Sequence, residues 1–287
     1  MSDFDDLELD LPSDDDLDID RMRVSPSKIR LFMEDQALFY FRYVENRRSA
    51  SSPALFEGST YHKGIEYALN RKRVDGALPP MGDTTDYLRQ FWESNHPDSV
   101  LGVPTQPDKF RFIANVFEEA YPVLDTIKPK HLEAYFLKSL PEKSFDIQGY
   151  VDCVHTTGDY TTGEIGETFD PATDVIIDFK SKSQAPSTML GVPQLGNFDM
   201  LQLTMYGWCL TQGEVPVNAE IIYIVKTRKP KIIRVPKVIT PEQMQTTITT
   251  VTRIVESMET GKYLPNYSHW MCREDRCEFW AECHQKF

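Results

Sequence analysis

Val175-Ile176-Ile177-Asp178-Phe179-Lys180 is an aliphatic run that ends in an acid and an amine. Consecutive β-branched residues followed by alternating chemistry read as a buried strand. Successive side chains leave a strand on opposite faces, so Asp178 and Lys180 share one face and Phe179 takes the other. A carboxylate among apolar residues is costly to desolvate unless it is paired or bound to a cation. Asp152, which follows Gly149-Tyr150-Val151, brings a second carboxylate from another apolar run.

Outward from this strand, the chain alternates between helical and strand patterns. Ser25-Pro26 predicts a capped helix start, and Phe56 to Arg73 predicts a helix with His62 and Glu66 one turn apart. Further helices are expected at 84–93 and 108–126, then strands at 133–140, 144–155 and 174–181, with a Gly/Thr/Asp-rich excursion at 156–173. A helix over 197–212 carries Gln202 and Tyr206 on one face. Ala219–Lys226 and Lys231–Pro236 read as paired strands, and Thr240-Pro241-Glu242 opens a helix to about 259. This order predicts an α/β fold, a mixed sheet flanked by helices.

Composition bounds the rest. The net charge of −13 is concentrated at one end: residues 1–20 hold ten Asp or Glu and no Lys or Arg, which leaves −3 for the remainder. Residues 1–22 are expected to be a disordered acidic tail, with one folded domain over 23–287. The tail reads as a solubiliser, as a docking peptide for a replication or recombination protein, or as a mimic of a nucleic-acid backbone. No apolar run reaches the roughly 18 to 20 residues of a membrane span, so no membrane partner is expected. The acidic amino terminus is unlike a signal peptide, which leads to an expected cytosolic location in a bacterial, archaeal or phage-infected cell. Five cysteines, an odd count, do not suggest a disulfide scaffold.

Two carboxylates can hold a hard divalent cation while a lysine orients or deprotonates a water, the set that metal-assisted phosphodiester hydrolysis needs. In order, Gly58-Ser59-Thr60-Tyr61-His62, Gly149-Tyr150-Val151-Asp152, Asp178-Phe179-Lys180 and Gln202-Leu203-Thr204-Met205-Tyr206 form an array. It resembles the RecB-like branch of the PD-(D/E)xK nuclease superfamily, which includes CRISPR-associated and phage RecB-like exonucleases. The resemblance covers roughly 25–287 and implies a restriction-endonuclease-like fold. It implies that His62, Asp152 and Asp178 are metal ligands, assisted by the Phe179 carbonyl. Lys180 would position or activate the water, and Gln202 and Tyr206 would orient Lys180 and the scissile strand. One imidazole among carboxylates suits Mg²⁺ or Mn²⁺, the nitrogen favouring Mn²⁺. Lys182 lies on the same strand face as Lys180, which the motif favours.

The resemblance also bears on Cys272, Cys277 and Cys283. Many relatives close the domain with a four-cysteine [4Fe–4S] cluster, the fourth ligand lying upstream before an aromatic stretch. Here that stretch is Phe39-Tyr40-Phe41-Arg42-Tyr43, the expected position is Asp35, and no cysteine precedes Cys153. The alternatives are an oxygen ligand at Asp35, zinc held by the three cysteines with His284 or His269, or three thiols packed as small apolar groups around Trp280.

Lys226, Arg228, Lys229, Lys231, Arg234 and Lys237 form an acid-free stretch. It reads either as a contact for DNA phosphates or as a charged sheet edge that blocks aggregation. The expected activity is a DNA exonuclease acting on ends or single strands in recombination, repair or phage replication. A flap or single-strand endonuclease and a non-catalytic DNA-binding scaffold are the alternatives. No Gly-x-x-x-x-Gly-Lys-Ser/Thr loop is present to drive unwinding.

Overall fold

The computed structural model describes residues 21–47, 53–95, 107–140, 142–189, 191–269 and 271–287. The expected tail over 1–20 and Trp270 lie outside the described residues. Arg21 and Met22, expected within the tail, belong to the folded part: the Arg21 guanidinium bonds Asp146 Oδ1 at 2.9 Å.

One sheet organises the chain. Its strands are β1 (Met22–Val24), β2 (Pro129–Ser139), β3 (Phe145–Thr156), β4 (Asp174–Lys182), β7 (Val217–Val225) and β8 (Lys231–Ile239), and a short hairpin of β5 (Thr188–Met189) and β6 (Val192–Pro193) lies between β4 and β7 in the chain. The hairpin stands apart from the main sheet. β2 runs antiparallel along nearly all of β3. The other edge of β3 is shared: β1 pairs in parallel with residues 145–147, and β4 pairs antiparallel with residues 153–156. Between them, residues 148–152 of β3 have no ladder partner on that edge among the described residues. The Gly149–Asp152 motif sits in this gap. β4 continues through a parallel pairing with β7, which pairs antiparallel with β8.

Helices cover both faces. On one side lie α1 (Pro26–Glu34), α7 (Asn197–Thr211) and α8 (Pro241–Glu259), packing Ile29, Leu203, Met205, Met244 and Val251 on Ile147, Val151, Ile176, Ile221 and Tyr223. On the other lie α3 (Pro53–Asp75), α4 (Met81–Asn95) and α5 (Pro107–Asp125), packing Tyr61, Ile65, Leu69, Leu88, Trp92 and Phe117 on Cys153, Ile177, Phe179 and Ile222. α2 (Gln36–Phe39) runs on into a wide turn through Tyr40–Val44, α6 (Ile165–Thr168) interrupts the excursion, and α9 (Trp280–Lys286) ends the chain. Caps agree with the sequence signals. Ser25 Oγ accepts the Lys28 N–H, and Thr240 and Gln243 form a reciprocal capping box. Gly64 permits the α3–α4–α5 contact, since a Cβ there would lie 2.7 Å from Leu88 and 2.8 Å from Phe117.

Sheet and helices therefore follow the expected α/β class. Side chains alternate in face along β4 as read: Ile177 and Phe179 join the α3 side, and Asp178 turns to α7. The 156–173 excursion is less irregular than expected, because α6 packs Ile165 into the core.

Candidate active site

Asp178 is completely buried, and α7 is built to meet it. Its Oδ1 accepts from Lys180 Nζ (3.1 Å) and from Gln202 Nε2 (2.7 Å). Gln202 Oε1 accepts from Lys180 (2.9 Å), while Gln202 Nε2 also donates to the Tyr206 hydroxyl (2.7 Å). One amide thus fixes the acid, the amine and the phenol together. Gly149 explains how Tyr206 comes so close to β3: a Cβ there would lie 3.0 Å from the Phe136 ring and 3.3 Å from Tyr206.

Burial pushes the Asp178 carboxyl up to about 7, opposed by Lys180 and aided by Asp152. Burial alone would lower the Lys180 ammonium, but Asp178 and Asp152 outweigh it and the net shift is upward. The two directions pull apart for an ion pair. The donors converging on Asp178 Oδ1 decide it as carboxylate and ammonium. Asp178 Oδ2 lies 2.9 Å from Lys180 Nζ yet receives no aligned hydrogen bond, so a buried lone pair remains to be satisfied.

Asp152 reaches across the gap in the sheet. Its Oδ2 accepts the Phe179 N–H (2.8 Å), which would otherwise face the missing rung of the β3–β4 ladder. The same oxygen lies 3.6 Å from His62 Nδ1, presented by α3. Glu133 is the third donor here. Leu132 pairs with Cys153 and Ala134 with Val151, so Glu133 falls directly opposite Asp152. Its φ of 45° is left-handed, a strained conformation for a glutamate. Facing carboxylates repel. Burial, then Asp152 and Glu66, push the Glu133 carboxyl up to about 8 against the pull of Lys63.

His62, Glu133 and Asp152 each offer a ligand atom within 4.8 Å of the others; among the described residues no other His, Cys, Asp or Glu trio comes so close. Strain, like-charge opposition and an imidazole at one point fit a hard divalent cation with some nitrogen preference. Asp178 is not among the three, although it was expected as a ligand. Glu133 was missed in the sequence. The only signal for it was an acid at the start of an expected strand, and the strand begins four residues earlier, at Pro129.

Lys182 is held elsewhere, bonded at 2.9 Å to Asp199, which also accepts the Tyr223 hydroxyl at 2.6 Å. Lys180 is thus the lysine engaged with Asp178. In the basic stretch, Arg228, Lys229 and Lys231 are exposed at the turn between β7 and β8. Lys226 is tied to Glu57 (3.3 Å), and Arg234 forms a two-point pair with Glu220 (2.7 and 2.6 Å). The stretch is therefore part scaffold and part free charge.

The three terminal cysteines gather near Asp35. Asp35, Cys272, Cys277 and Cys283 line one cavity together with Phe41 and Phe279. Trp280 and His284 border it as well, with the His284 ring tilted against Trp280 (ring centroids 4.4 Å apart). Asn266 Nδ2 bonds the Glu34 carbonyl, Leu264 N–H bonds Gln36, and Phe41 stacks on Phe279, so the ends of the chain clasp. Of the two histidines considered beside the thiols for zinc, His284 borders this cavity.

A carboxylate-rich fork in a mixed sheet, completed by an acid–amide–lysine network, is set in a fold of the restriction-endonuclease-like type. The profile of the PD-(D/E)XK nuclease superfamily matches residues 23–284, and the chain belongs to that family. No curated protein matches it. Among solved structures, an exonuclease candidate from Eubacterium rectale is similar at 14% identity and TM-score 0.53, over 93% of this chain and 88% of that one, which shows the fold. SSO0001 is similar at 15% identity over 79% of this chain and 85% of that one; at a TM-score of 0.34 the likeness bears on nothing further. No helix among the described residues is long and apolar enough to cross a membrane.

Proposed function

We propose that this nuclease is a Mg²⁺- or Mn²⁺-dependent exonuclease that hydrolyses phosphodiester bonds at DNA ends. The observation that carries the reading is the meeting of His62, Glu133 and Asp152 beside the Asp178–Lys180–Gln202 network. The first three would hold the ion. When bound, it polarises the phosphoryl oxygen and acidifies water. The protein does the rest. Lys180 stays an ammonium, so it neutralises charge and orients the attacking water instead of removing its proton. Gln202 keeps Lys180 aimed, Tyr206 keeps Gln202 aimed, and Phe179 holds Asp152 through its N–H while its carbonyl remains a proposed ligand. Arg228, Lys229 and Lys231 supply exposed charge for a phosphate backbone. The similarity in fold to an exonuclease candidate supports attack at ends. Recombination, repair and phage replication are the settings such an activity suits.

The test is a time course on end-labelled linear and on circular single-stranded DNA with Mn²⁺, using wild type, Asp178→Ala and Lys180→Ala. Release of mononucleotides from ends supports the reading, and cutting of circles would replace it with an endonuclease. Retained binding without product would leave a scaffold. Each variant should lose at least about a hundredfold in rate, since electrostatic and proton-positioning groups contribute several kcal/mol.

We further infer that Cys272, Cys277 and Cys283 hold a [4Fe–4S] cluster that clasps the two ends of the domain. Three thiols lining one cavity with the buried Asp35 carboxylate support it.

A further inference from the structure

Asp35 is an aspartate in an unusual place. It is 7% exposed and borders the same cavity as all three terminal thiols. One of its oxygens has a clear local task, because Oδ1 accepts the Leu38 N–H at 3.1 Å and caps α2. Its Oδ2 lies 3.9 Å from His269 Nδ1. Four groups that bind metal as anions therefore line one cavity.

The candidates for the fourth place compare as follows. His269 does not line the cavity. His284 lines it but is exposed and packed against Trp280, with Nδ1 2.9 Å from the Trp280 carbonyl. Asp35 is buried, borders the cavity and is held by its cap. It stands on the first helical segment, opposite the carboxyl-terminal thiols.

We propose that Asp35 is the fourth ligand of the cluster, so that three irons carry thiolate and one carries a carboxylate. This rests on the reading of the thiols as cluster ligands. The carboxylate is the harder donor, and iron bound to it is held less firmly than iron bound to sulfur. That corner is the one from which iron leaves: [4Fe–4S]²⁺ gives [3Fe–4S]⁺, Fe²⁺ and one electron, the electron passing to an added one-electron oxidant.

The test compares anaerobically purified wild type, Asp35→Asn, Asp35→Cys and His284→Ala. Iron and sulfide content and electron paramagnetic resonance are measured before and after one equivalent of ferricyanide, with circular dichroism to confirm folding. Asparagine keeps the helix cap and removes the anionic ligand, so Asp35→Asn should be isolated with a three-iron cluster. Wild type should convert to that cluster with ferricyanide, and Asp35→Cys should resist. His284→Ala should behave as wild type. If folded Asp35→Asn keeps a full cluster with wild-type sensitivity, or if His284→Ala alone loses iron, Asp35 is not the ligand although a cluster exists. If every protein is free of iron and sulfide, the cluster itself is overturned.

Discussion

Glu133 and Asp152 face each other across the β2–β3 ladder, two carboxylates at one rung, where the glutamate backbone turns left-handed. Such a rung is unfavourable in isolation. His62 meets them at the same point, and under the proposed function a cation would turn the repulsion into binding.

The Glu133 carboxyl, raised to about 8 by burial and its acidic neighbours, should make ion binding pH-dependent. Ligands bind as anions, so apparent Mn²⁺ affinity should fall as pH drops below about 8, with a proton released on binding. The folded value lies above the unfolded one, so the group's contribution to stability is greatest at acid pH. It is lost as pH rises through about 8. Ion-free protein should lose stability across that window, and Mn²⁺ should remove the loss. Calorimetry in buffers of different ionisation enthalpy, with melting curves in EDTA and Mn²⁺, checks both. Glu133→Gln should flatten the profile and weaken Mn²⁺ at least tenfold.

Gly149→Ala should disturb catalysis by packing. The new methyl would meet Phe136 and Tyr206, and overpacking of this kind costs about 1–3 kcal/mol. Tyr206 would shift from Gln202, loosening Lys180. Rate should fall more than Mn²⁺ affinity, and Phe136→Leu in the same chain should restore part of both rate and stability, as judged by urea unfolding and single-turnover assays.

Lys130 and Asp174 form a buried ion pair (2.7 Å; side chains 3% and 0% exposed) that also takes the Asp170 N–H. Removing one partner strands the other's charge. Lys130→Met should cost about 3–5 kcal/mol in urea denaturation. Adding Asp174→Asn should recover much of it. Activity per folded molecule should hold, because the pair lies outside the catalytic network.

The basic stretch should separate into two kinds of residue. Arg228→Ala, Lys229→Ala and Lys231→Ala together should weaken single-stranded DNA binding and reduce the slope of log affinity against log salt by about 2. Lys226→Ala should instead lower stability through the Glu57 contact and leave the salt slope little changed. Fluorescence anisotropy over a salt series distinguishes them.

Much of this architecture was legible from local patterns. The aliphatic run of β4 reads as a buried strand, and Ser25 and Thr240 announced their helices because capping is settled within one turn. That Gln202 and Tyr206 share one helical face followed from their i, i+4 spacing, and they are in contact. The choice of Lys180 over Lys182 needed more: both share a face, and only the contact of Lys182 with Asp199 shows which lysine is free to serve Asp178.

Side-chain alternation, helix caps and the order of the motifs were thus determined by the sequence itself, since each depends on neighbours a few residues away. Tertiary structure alone decided three things: the unpaired edge of β3, the place of Glu133 opposite Asp152, and the closing of Asp35 onto the terminal thiols. Ligand geometry is a sum over strand register and packing between distant segments. No short stretch of chain contains that information.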